Sequence, residues 1–242
     1  MEALILVLFL LIMILLGLEA YQVKRDRALL QHVVYLNGIR GKSTVTRMIA
    51  AGLKSGGWSV FCKTTGTVPR LIGTDGVERP LRRRGKANIR EQARVMRMAV
   101  REHAQVLVIE CMAVDPFLQE ISQRKIVRSD IGVITNVRLD HTEEMGLTLE
   151  EICDSLSRTI PEHGILYTAD TQFWGQMVRN AEKVGARVEL SRPADDLPNF
   201  DFPENVALAL AVCGELGVDR EAALAGSLSY QPDPYALSAF RL

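Results

Sequence analysis

The sequence has few cysteines and no excess of charge of either sign, and both absences exclude classes of function. Its 242 residues include 4 cysteines, which lie far apart and form no C-x-x-C pair. This pattern argues against a zinc site and a disulfide framework, and it predicts reduced, mostly buried thiols. The 29 basic residues balance 29 acidic ones, so no overall field favours nucleic acid or an anionic membrane surface.

One long apolar run stands near the start of the chain. Residues 3–18 contain no charged residue, which is short for a spanning helix but longer than most secretory h-regions. Lys24, Arg25 and Arg27 follow the run, so the positive-inside rule predicts a single-pass anchor in the cell membrane with the rest of the chain in the cytoplasm. A cleaved signal peptide is the alternative, because residues 18–20 resemble a cleavage site, but the run lacks a basic n-region.

Beyond the predicted anchor at residues 1–19 and a charged connector at 20–32, strand-like and helix-like segments alternate. This order predicts an α/β fold with a mostly parallel sheet flanked by helices. The predicted strands are 33–37, 58–63, 106–110, 131–136, 165–168 and 187–190. The predicted helices are 43–54, 89–103, 149–160, 172–184 and 203–216. Residues 64–88 are rich in Gly, Thr, Pro and Arg and too long for an ordinary connection, which indicates a functional loop.

The most informative motif is the run Asn37-Gly38-Ile39-Arg40-Gly41-Lys42-Ser43-Thr44, between a strand-like run and a helical pattern. Two glycines let the backbone curl so that several N–H groups point inward. Lys42 can reach a terminal phosphate, and the Ser43 hydroxyl can hold Mg²⁺ at a helix N-terminus. The motif predicts binding of a nucleoside triphosphate. A common P-loop has a longer interval between its glycines, so the spacing indicates a subclass.

Two further strand ends carry polar side chains. Glu110 ends an apolar run and is expected at the carboxyl edge of the sheet, where α/β proteins bind ligands. We predict a Mg²⁺ ligand there, and a strand-end salt bridge is the alternative. Asp140 and His141 follow the predicted strand 131–136. A neutral imidazole beside a phosphate loop can hold a second metal ion, although a lone histidine is usually structural.

These motifs, in this order, resemble the Mur ligase superfamily of ATP-dependent amide ligases, which includes folylpolyglutamate and cyanophycin synthetases. Within it, five segments are similar to the catalytic subunits of poly-gamma-glutamate synthases, and so is the hydrophobic N-terminus. The segments are 37–47, 63–67, 88–92, 110–114 and 136–146. The resemblance runs from residue 1 to about residue 237, and it implies a Mur-type ATP-binding central domain at 33–237.

The resemblance also implies roles for individual residues, with ATP and Mg²⁺ as cofactors. The catalytic set would be Lys42, Glu110 and His141, and the metal ligands would be Ser43, Glu110 and His141. The implied nucleotide-binding residues are Gly38, Ile39, Arg40, Gly41, Lys42, Ser43, Thr44 and Asn205.

Some of these assignments have equally ordinary structural explanations. Asn205 matches an asparagine that contacts the adenine side in Mur ligases, yet it also suits the first turn of a helix. Thr64, Thr65 and Thr67 could bring a hydroxyl to the metal, yet polar residues are common in turns. The basic run 82–86 invites a link with a polyanionic product, but a solvated loop is the favoured interpretation.

The sequence departs from the family pattern in three places. Many Mur ligases carry a carbamylated lysine beyond the histidine, and residues 149–161 contain no lysine. Tyr235 stands where the hinge glycine of the family is expected. Residues 238–242 would only begin the C-terminal domain, so the resemblance implies a truncated or split subunit.

The implied reaction activates the γ-carboxyl of glutamate as an acyl phosphate and joins glutamates through γ-linkages, releasing ADP and phosphate. The implied partners are ATP, glutamate, the growing poly-gamma-glutamate chain and integral-membrane synthase or export subunits, with no nucleic acid. Three alternatives stay open. They are a superfamily ligase with another acceptor, a membrane-anchored P-loop NTPase that drives a conformational or export step, and a nucleotide-binding scaffold that needs a partner for catalysis.

Overall fold

The computed structural model describes residues 1–66, 68–83, 85, 87–194 and 202–232. Its strands are β1 (His32–Asn37), β2 (Val60–Thr64), β3 (Arg70–Ile72), β4 (Glu78–Pro80), β5 (Val106–Glu110), β6 (Ile131–Ile134), β7 (Ile165–Thr168) and β8 (Arg187–Leu190). They form one eight-stranded sheet in the order β4-β3-β2-β5-β1-β6-β7-β8. In this order, each neighbouring pair from β2 through β5, β1, β6 and β7 to β8 is parallel. The edge strands differ, because β3 pairs antiparallel with both β2 and β4. The predicted mostly parallel sheet is confirmed.

The helices are α1 (Glu2–Ala28), α2 (Lys42–Ser55), α3 (Arg90–Arg101), α4 (Pro116–Ile121), α5 (Thr142–Met145), α6 (Leu149–Leu156), α7 (Trp174–Glu182), α8 (Pro203–Glu215) and α9 (Arg220–Leu228). A π-helical turn, Ser122–Val127, continues α4, and a 3₁₀ turn, Ser157–Thr159, continues α6. All five predicted helices are present with shifted ends. Side chains fix several starts: Thr148 and Glu151 form a capping box at α6, and Asp219 accepts two backbone N–H bonds at α9.

Both faces of the sheet are covered, which explains why β1 reads as an unbroken apolar run. Val34 and Leu36 pack with α2, α8 and α9 on one face. Val33 and Tyr35 pack with α3 on the other face, where α6 and α7 cover the far half of the sheet. The four free cysteines of the chain are all buried, which confirms the prediction from their spacing.

The prediction that residues 64–88 form a loop is wrong for the backbone, because this segment contains the β3–β4 hairpin. Its strands have three residues each, which is too short for an apolar alternation that a sequence pattern could detect. The hairpin is held by Glu78, which accepts hydrogen bonds from the two terminal nitrogens of the buried Arg47 guanidinium at 2.7 and 2.9 Å. Leu81 N donates to Pro69 O at 2.9 Å, so both ends of the hairpin lie at the carboxyl edge of the sheet.

Helix α1 is continuous through the predicted anchor and most of the charged connector. By length and composition it could span a membrane, since it has 27 residues and most of them are apolar. Its last third lies against the domain. Arg27 pairs with Asp130 at 2.5 Å and donates to the Arg128 carbonyl at 2.8 Å. The connector is therefore an extension of the helix, bound to the residues that precede β6.

We predict that Glu78→Ala lowers the free energy of unfolding by about 3 kcal/mol, because it leaves the buried Arg47 charge without this carboxylate. Chemical denaturation of the chain in detergent micelles measures the loss. Asp75→Ala is the matched control, since it removes an exposed ion pair to Arg79 in the same hairpin and should change the midpoint little. Equal losses in the two variants would contradict the role given to the Arg47–Glu78 pair.

The same pair predicts a pH dependence. The Arg47 hydrogen bond, opposed by partial burial, holds the pKa of Glu78 below its ordinary value, which is about 4.3 for glutamate. The stabilisation is therefore fully present above that value and is lost as the pH falls through the lower pKa of the folded state. The difference in unfolding midpoint between the wild type and Glu78→Ala should shrink below about pH 4. A constant difference across that range would contradict it.

Candidate nucleotide-binding site

A cavity of about 490 Å³ opens at the carboxyl edge of the sheet, where β1, β5 and β6 end side by side. It is lined by the loop 37–44, by Glu110 and the residues after it, and by Asp140 and His141. Thr65, Gly66, Arg83 and Ala87 of the hairpin segment and Met145 complete the lining. The segment 64–88 thus contributes to the cavity through both of its ends.

The two glycines of the loop hold conformations that suit no other residue. Gly38 has φ 126° and Gly41 has φ 80°, both in the region that favours glycine. A Cβ on Gly38 would collide with the Thr135 side chain and backbone. Gly41 is the N-cap of α2 and has no side chain that could cap the helix. The N–H groups of the first turn have no acceptor within the helix itself, so they suit an anion.

The end of β6 holds the loop in shape. Thr135 Oγ1 donates to the Arg40 carbonyl at 2.7 Å, and Asn136 Nδ2 donates to the same oxygen at 3.0 Å. Asn136 Oδ1 accepts from the Arg40 backbone N–H, also at 3.0 Å. Sequence reasoning gave neither residue a role. The only available signal was that the Asn136 segment follows a predicted strand, as polar ligand-side residues commonly do.

Lys42 and Arg40 place positive charge on the loop side of the cavity. Lys42 Nζ donates to the Gly38 carbonyl at 2.6 Å and to the Ile39 carbonyl at 3.4 Å, so its ammonium lies across the loop. Arg40 is 75% exposed and pairs with Asp140 at 3.1 Å, which bridges two sides of the cavity. An anionic group entering here would compete with backbone carbonyls for Lys42 and with Asp140 for Arg40.

Glu110 is 2% exposed and meets three donors. Ser43 Oγ donates to Oε2 at 2.8 Å, Thr65 N donates to the same oxygen at 2.8 Å, and the Thr65 hydroxyl bonds Oε1. Charge-assisted bonds of this kind orient a carboxylate strongly. Among the residues that the structure describes, Glu110 forms no salt bridge. The structure therefore brings Ser43 and Glu110 together as an oxygen pair beside the loop.

His141 lies at the cavity in a strained conformation. Its φ is 50°, in the left-handed region, and its backbone N–H bonds Asp140 Oδ1 at 2.9 Å. The side chain is exposed. Within the described ranges, no group of three or more His, Cys, Asp or Glu side chains is arranged to hold a metal. His141 and Glu110 share the cavity, but protein groups alone do not surround an ion there.

The other residues to which the sequence analysis gave a role do not all lie at the cavity. The Asn205 side chain lies in the first turn of α8 beside Gly41, where an added Cβ would be 3.1 Å from its Oδ1, but it does not line the cavity. Thr64 is buried and its hydroxyl finds no partner among the described residues. Thr65 binds Glu110. Thr67 and the predicted hinge around Tyr235 lie outside the described residues.

A buried charge network lies next to Glu110, and sequence reasoning missed it. The fully buried Lys63 ammonium lies 3.3 Å from Glu91 Oε1, and Arg83 holds the same carboxylate at 2.7 Å. Burial lowers the pKa of Lys63. Burial acts to raise the pKa of Glu91, but Arg83 and Lys63 lower it overall. Gln92 joins this network to the site, since it accepts from Lys63 and its Nε2 donates to the Glu110 carbonyl at 3.1 Å.

Comparison with known proteins shows the family and the fold of this chain. Residues 37–192 match the Mur ligase middle domain, and the chain belongs to the Mur ligase family. A bifunctional folylpolyglutamate synthase/dihydrofolate synthase, solved with Mn, AMPPNP and L-glutamate bound, has the same fold. The TM-score is 0.62 at 17% identity, over 88% of this chain and 62% of that chain.

Two curated relatives are much closer in sequence. The capsule biosynthesis protein CapB of Bacillus anthracis is 42% identical over 218 residues, which cover 86% of this chain and 47% of that protein. The PGA synthase CapB of Bacillus subtilis (strain 168) is 41% identical over 213 residues, which cover 84% of this chain and 54% of that protein. The chain thus spans about half the length of these relatives. The family resemblance and the fold class drawn from the sequence are confirmed.

We expect Gly38→Ala to destabilise the chain by about 1–3 kcal/mol, because the new methyl group overpacks against Thr135 in a backbone conformation that alanine rarely adopts. Unfolding in denaturant measures the loss. Gly57→Ala is the matched control: Gly57 also has a positive φ, 88°, but a Cβ there meets nothing within 4 Å. If both variants lost the same stability, backbone strain alone would explain it and the contact with Thr135 would not matter.

Proposed function

We propose that this protein is an ATP-dependent γ-glutamyl ligase that forms poly-gamma-glutamate. The observation that carries the proposal is the convergence of the glycine loop, Lys42 and the Ser43–Glu110 pair on one cavity. The names of the two curated relatives, a capsule biosynthesis protein and a PGA synthase, support the polymer as product. The Mn, AMPPNP and L-glutamate bound to the bifunctional folylpolyglutamate synthase support a divalent cation, a nucleotide and glutamate as the bound species.

The chemistry explains why such a site is needed. Amide formation from a carboxylate and an amine is uphill in water, so the carboxylate must first be activated. A γ-carboxylate oxygen of glutamate attacks the γ-phosphorus of ATP, the bond to the bridging oxygen breaks and ADP leaves. The amine of a second glutamate then attacks the acyl carbon, phosphate leaves and a proton is lost. This sequence needs positioning and charge stabilisation, and it needs no covalent enzyme nucleophile.

The residues of the loop suit the first step. Negative charge is spread over the equatorial phosphoryl oxygens in the transition state. The N–H groups at the start of α2 and the Lys42 ammonium supply positive charge in a fixed arrangement, which costs little reorganisation during the reaction. The bonds from Thr135 and Asn136 to Arg40 hold this arrangement before any ligand enters. Arg83 also lines the cavity, and its guanidinium, paired with Glu91, is a further group that suits an acidic substrate.

The donor set also suits Mg²⁺, which prefers oxygen ligands and keeps several waters and substrate phosphates in its shell. The Ser43 hydroxyl and the Glu110 carboxylate, 2.8 Å apart, would contribute the protein oxygens, and His141 lines the same cavity. When bound, the ion neutralises phosphate charge. The absence of a lysine in residues 149–161 leaves these groups to complete the site without a carbamylated side chain.

We propose that α1 anchors the protein in the cell membrane as a single span, with the ligase domain in the cytoplasm. The contacts of α1 argue against a cleaved signal peptide. Cleavage after Ala20 would remove Glu19, whose carboxylate pairs with Arg90 at 2.6 Å. The exposed apolar surface of the helix also suits integral-membrane synthase or export subunits as partners.

The first test is ATP turnover by the membrane-embedded chain, with and without glutamate. Lys42→Ala should lower glutamate-dependent ADP release by about a hundredfold to a thousandfold, the loss typical of one charge-stabilising group. Lys183→Ala, which removes an exposed lysine at the end of α7, should leave the rate unchanged. The proposal fails if ADP release does not depend on glutamate, which is the behaviour of an NTPase. Tight ATP binding without turnover would instead favour a scaffold that needs a partner.

A second test addresses the metal through a residue that supports its ligand. Thr65→Val removes the hydroxyl that bonds Glu110 Oε1 but keeps the Thr65 N–H bond. We expect the Mg²⁺ concentration for half-maximal nucleotide binding to rise about tenfold, as is typical when a supporting partner is lost. Thr74→Val is the control, because its hydroxyl bonds the Glu102 carbonyl at the opposite edge of the sheet. An unchanged Mg²⁺ requirement in Thr65→Val would remove Glu110 from the metal site.

A further inference from the structure

The helix that carries the apolar run leaves the domain at the same edge of the sheet as the nucleotide cavity. Helix α3 defines this direction. It ends at Arg101, a few residues before β5 begins, so its C-terminus lies at the amino edge and its N-terminus at the carboxyl edge. Its first turn is next to the end of the hairpin segment that lines the cavity.

Helix α1 lies alongside α3 and runs in the same direction. Glu19 contacts Arg90 at the start of α3, with two oxygen–nitrogen distances of 2.6 Å. One to two turns later, Gln22 accepts from Arg97 at 2.8 Å and Asp26 from the same guanidinium at 3.1 Å. Residue 19 is therefore level with the carboxyl edge of the sheet.

The C-terminal end of α1 lies at the other edge of the sheet, the amino edge. Arg27 pairs with Asp130, whose Oδ2 accepts from the Val33 backbone N–H at 2.9 Å. Both contacts lie where β1 and β6 begin, at the amino edge of the sheet. The charged part of α1 thus spans the depth of the domain from one edge to the other.

The apolar run must therefore project beyond the carboxyl edge. Residues 3–18 cover about 24 Å at 1.5 Å per residue, and the large apolar side chains from Leu4 to Leu18 are 49% to 63% exposed. Ala87, which lines the cavity, is three residues from Arg90 and thus at most about 11 Å from it. Arg83, on the same wall, is held by Glu91 in the first turn of α3.

We propose that the nucleotide cavity faces the bilayer, with its rim within about 10–15 Å of the lipid headgroups. The proposal rests on the proposed membrane span of α1. The surface around the point where α1 leaves the domain contacts the headgroup layer of an anionic membrane, because Arg82 and Arg94 are exposed there. The two residues are neighbours, since Arg94 Nη2 donates to the Arg82 carbonyl at 3.2 Å. A polymer chain that ends in this cavity lies at the membrane surface and need not cross the cytoplasm to reach an integral-membrane partner.

Headgroup quenching of a fluorophore tests this orientation. The full chain is placed in nanodiscs of phosphatidylcholine and phosphatidylglycerol that contain a lipid with a nitroxide headgroup. A fluorophore is attached at Arg82→Cys on the carboxyl edge or, as the matched control, at Glu162→Cys on the amino edge. Both positions are exposed, and the native cysteines are buried. The amino edge is deeper in the cytoplasm by the length of a strand, about 15 Å.

We expect quenching at position 82 to be at least fivefold stronger than at position 162. Equal quenching, or stronger quenching at 162, would overturn the proposal, and so would a chain that fails to enter nanodiscs. A variant with a Gly-Ser-Gly-Gly insertion after Leu18 should enter nanodiscs but lose most of the difference, since its domain can turn about the linker. Glutamate-dependent ADP release is measured on the same samples. If the difference in quenching is present but glutamate-dependent ADP release is absent, the orientation stands and the proposed ligase function is rejected. If ADP release depends on glutamate but quenching is equal at the two positions, the ligase function stands and the orientation is rejected.

Discussion

The carboxylate of Glu110 is the group on which the arrangement of the site depends. It is 2% exposed, and a buried carboxylate is strongly unfavourable unless hydrogen bonds replace its lost hydration. Ser43 comes from the start of α2 and Thr65 from the segment after β2. One buried carboxyl group therefore brings three separate parts of the chain together at the end of β5. Those parts are the end of the loop 37–44 with the start of α2, the strand β5 itself and the hairpin segment 64–88.

The parallel sheet makes this meeting possible. The ends of β1, β5 and β6 lie side by side because the strands run in the same direction and are adjacent in the sheet. Once they do, Thr135 and Asn136 can hold the Arg40 backbone, so hydrogen bonds within the protein fix the shape of the loop. Preorganisation of this kind lowers the cost of binding and of charge stabilisation. The left-handed conformation of His141 and the Arg40–Asp140 pair complete the rim at the same edge.

Much of this fold could be predicted because its elements have strong local patterns. β1 and β5 are apolar without interruption, and α2 follows a glycine-rich start, so their types follow from the sequence alone. The β3–β4 hairpin could not be predicted, because strands of three residues are too short to show an apolar period. Helix α4 could not be predicted for a similar reason. It has 6 residues and continues as a π-helical turn, whose spacing does not match the α-helical repeat.

The sequence by itself determined the chemistry that this protein can bring to a site: a loop with two glycines, a lysine and a serine, a glutamate at a strand end, and an apolar run near the N-terminus. These depend on residue type and short spacing, which are local properties. Only the tertiary structure decided which groups meet. The Lys63–Glu91–Arg83 network, the contact of Asn136 with Arg40, and the packing of α1 along α3 join residues far apart in sequence. Their geometry follows from strand order and helix packing, which no local pattern encodes.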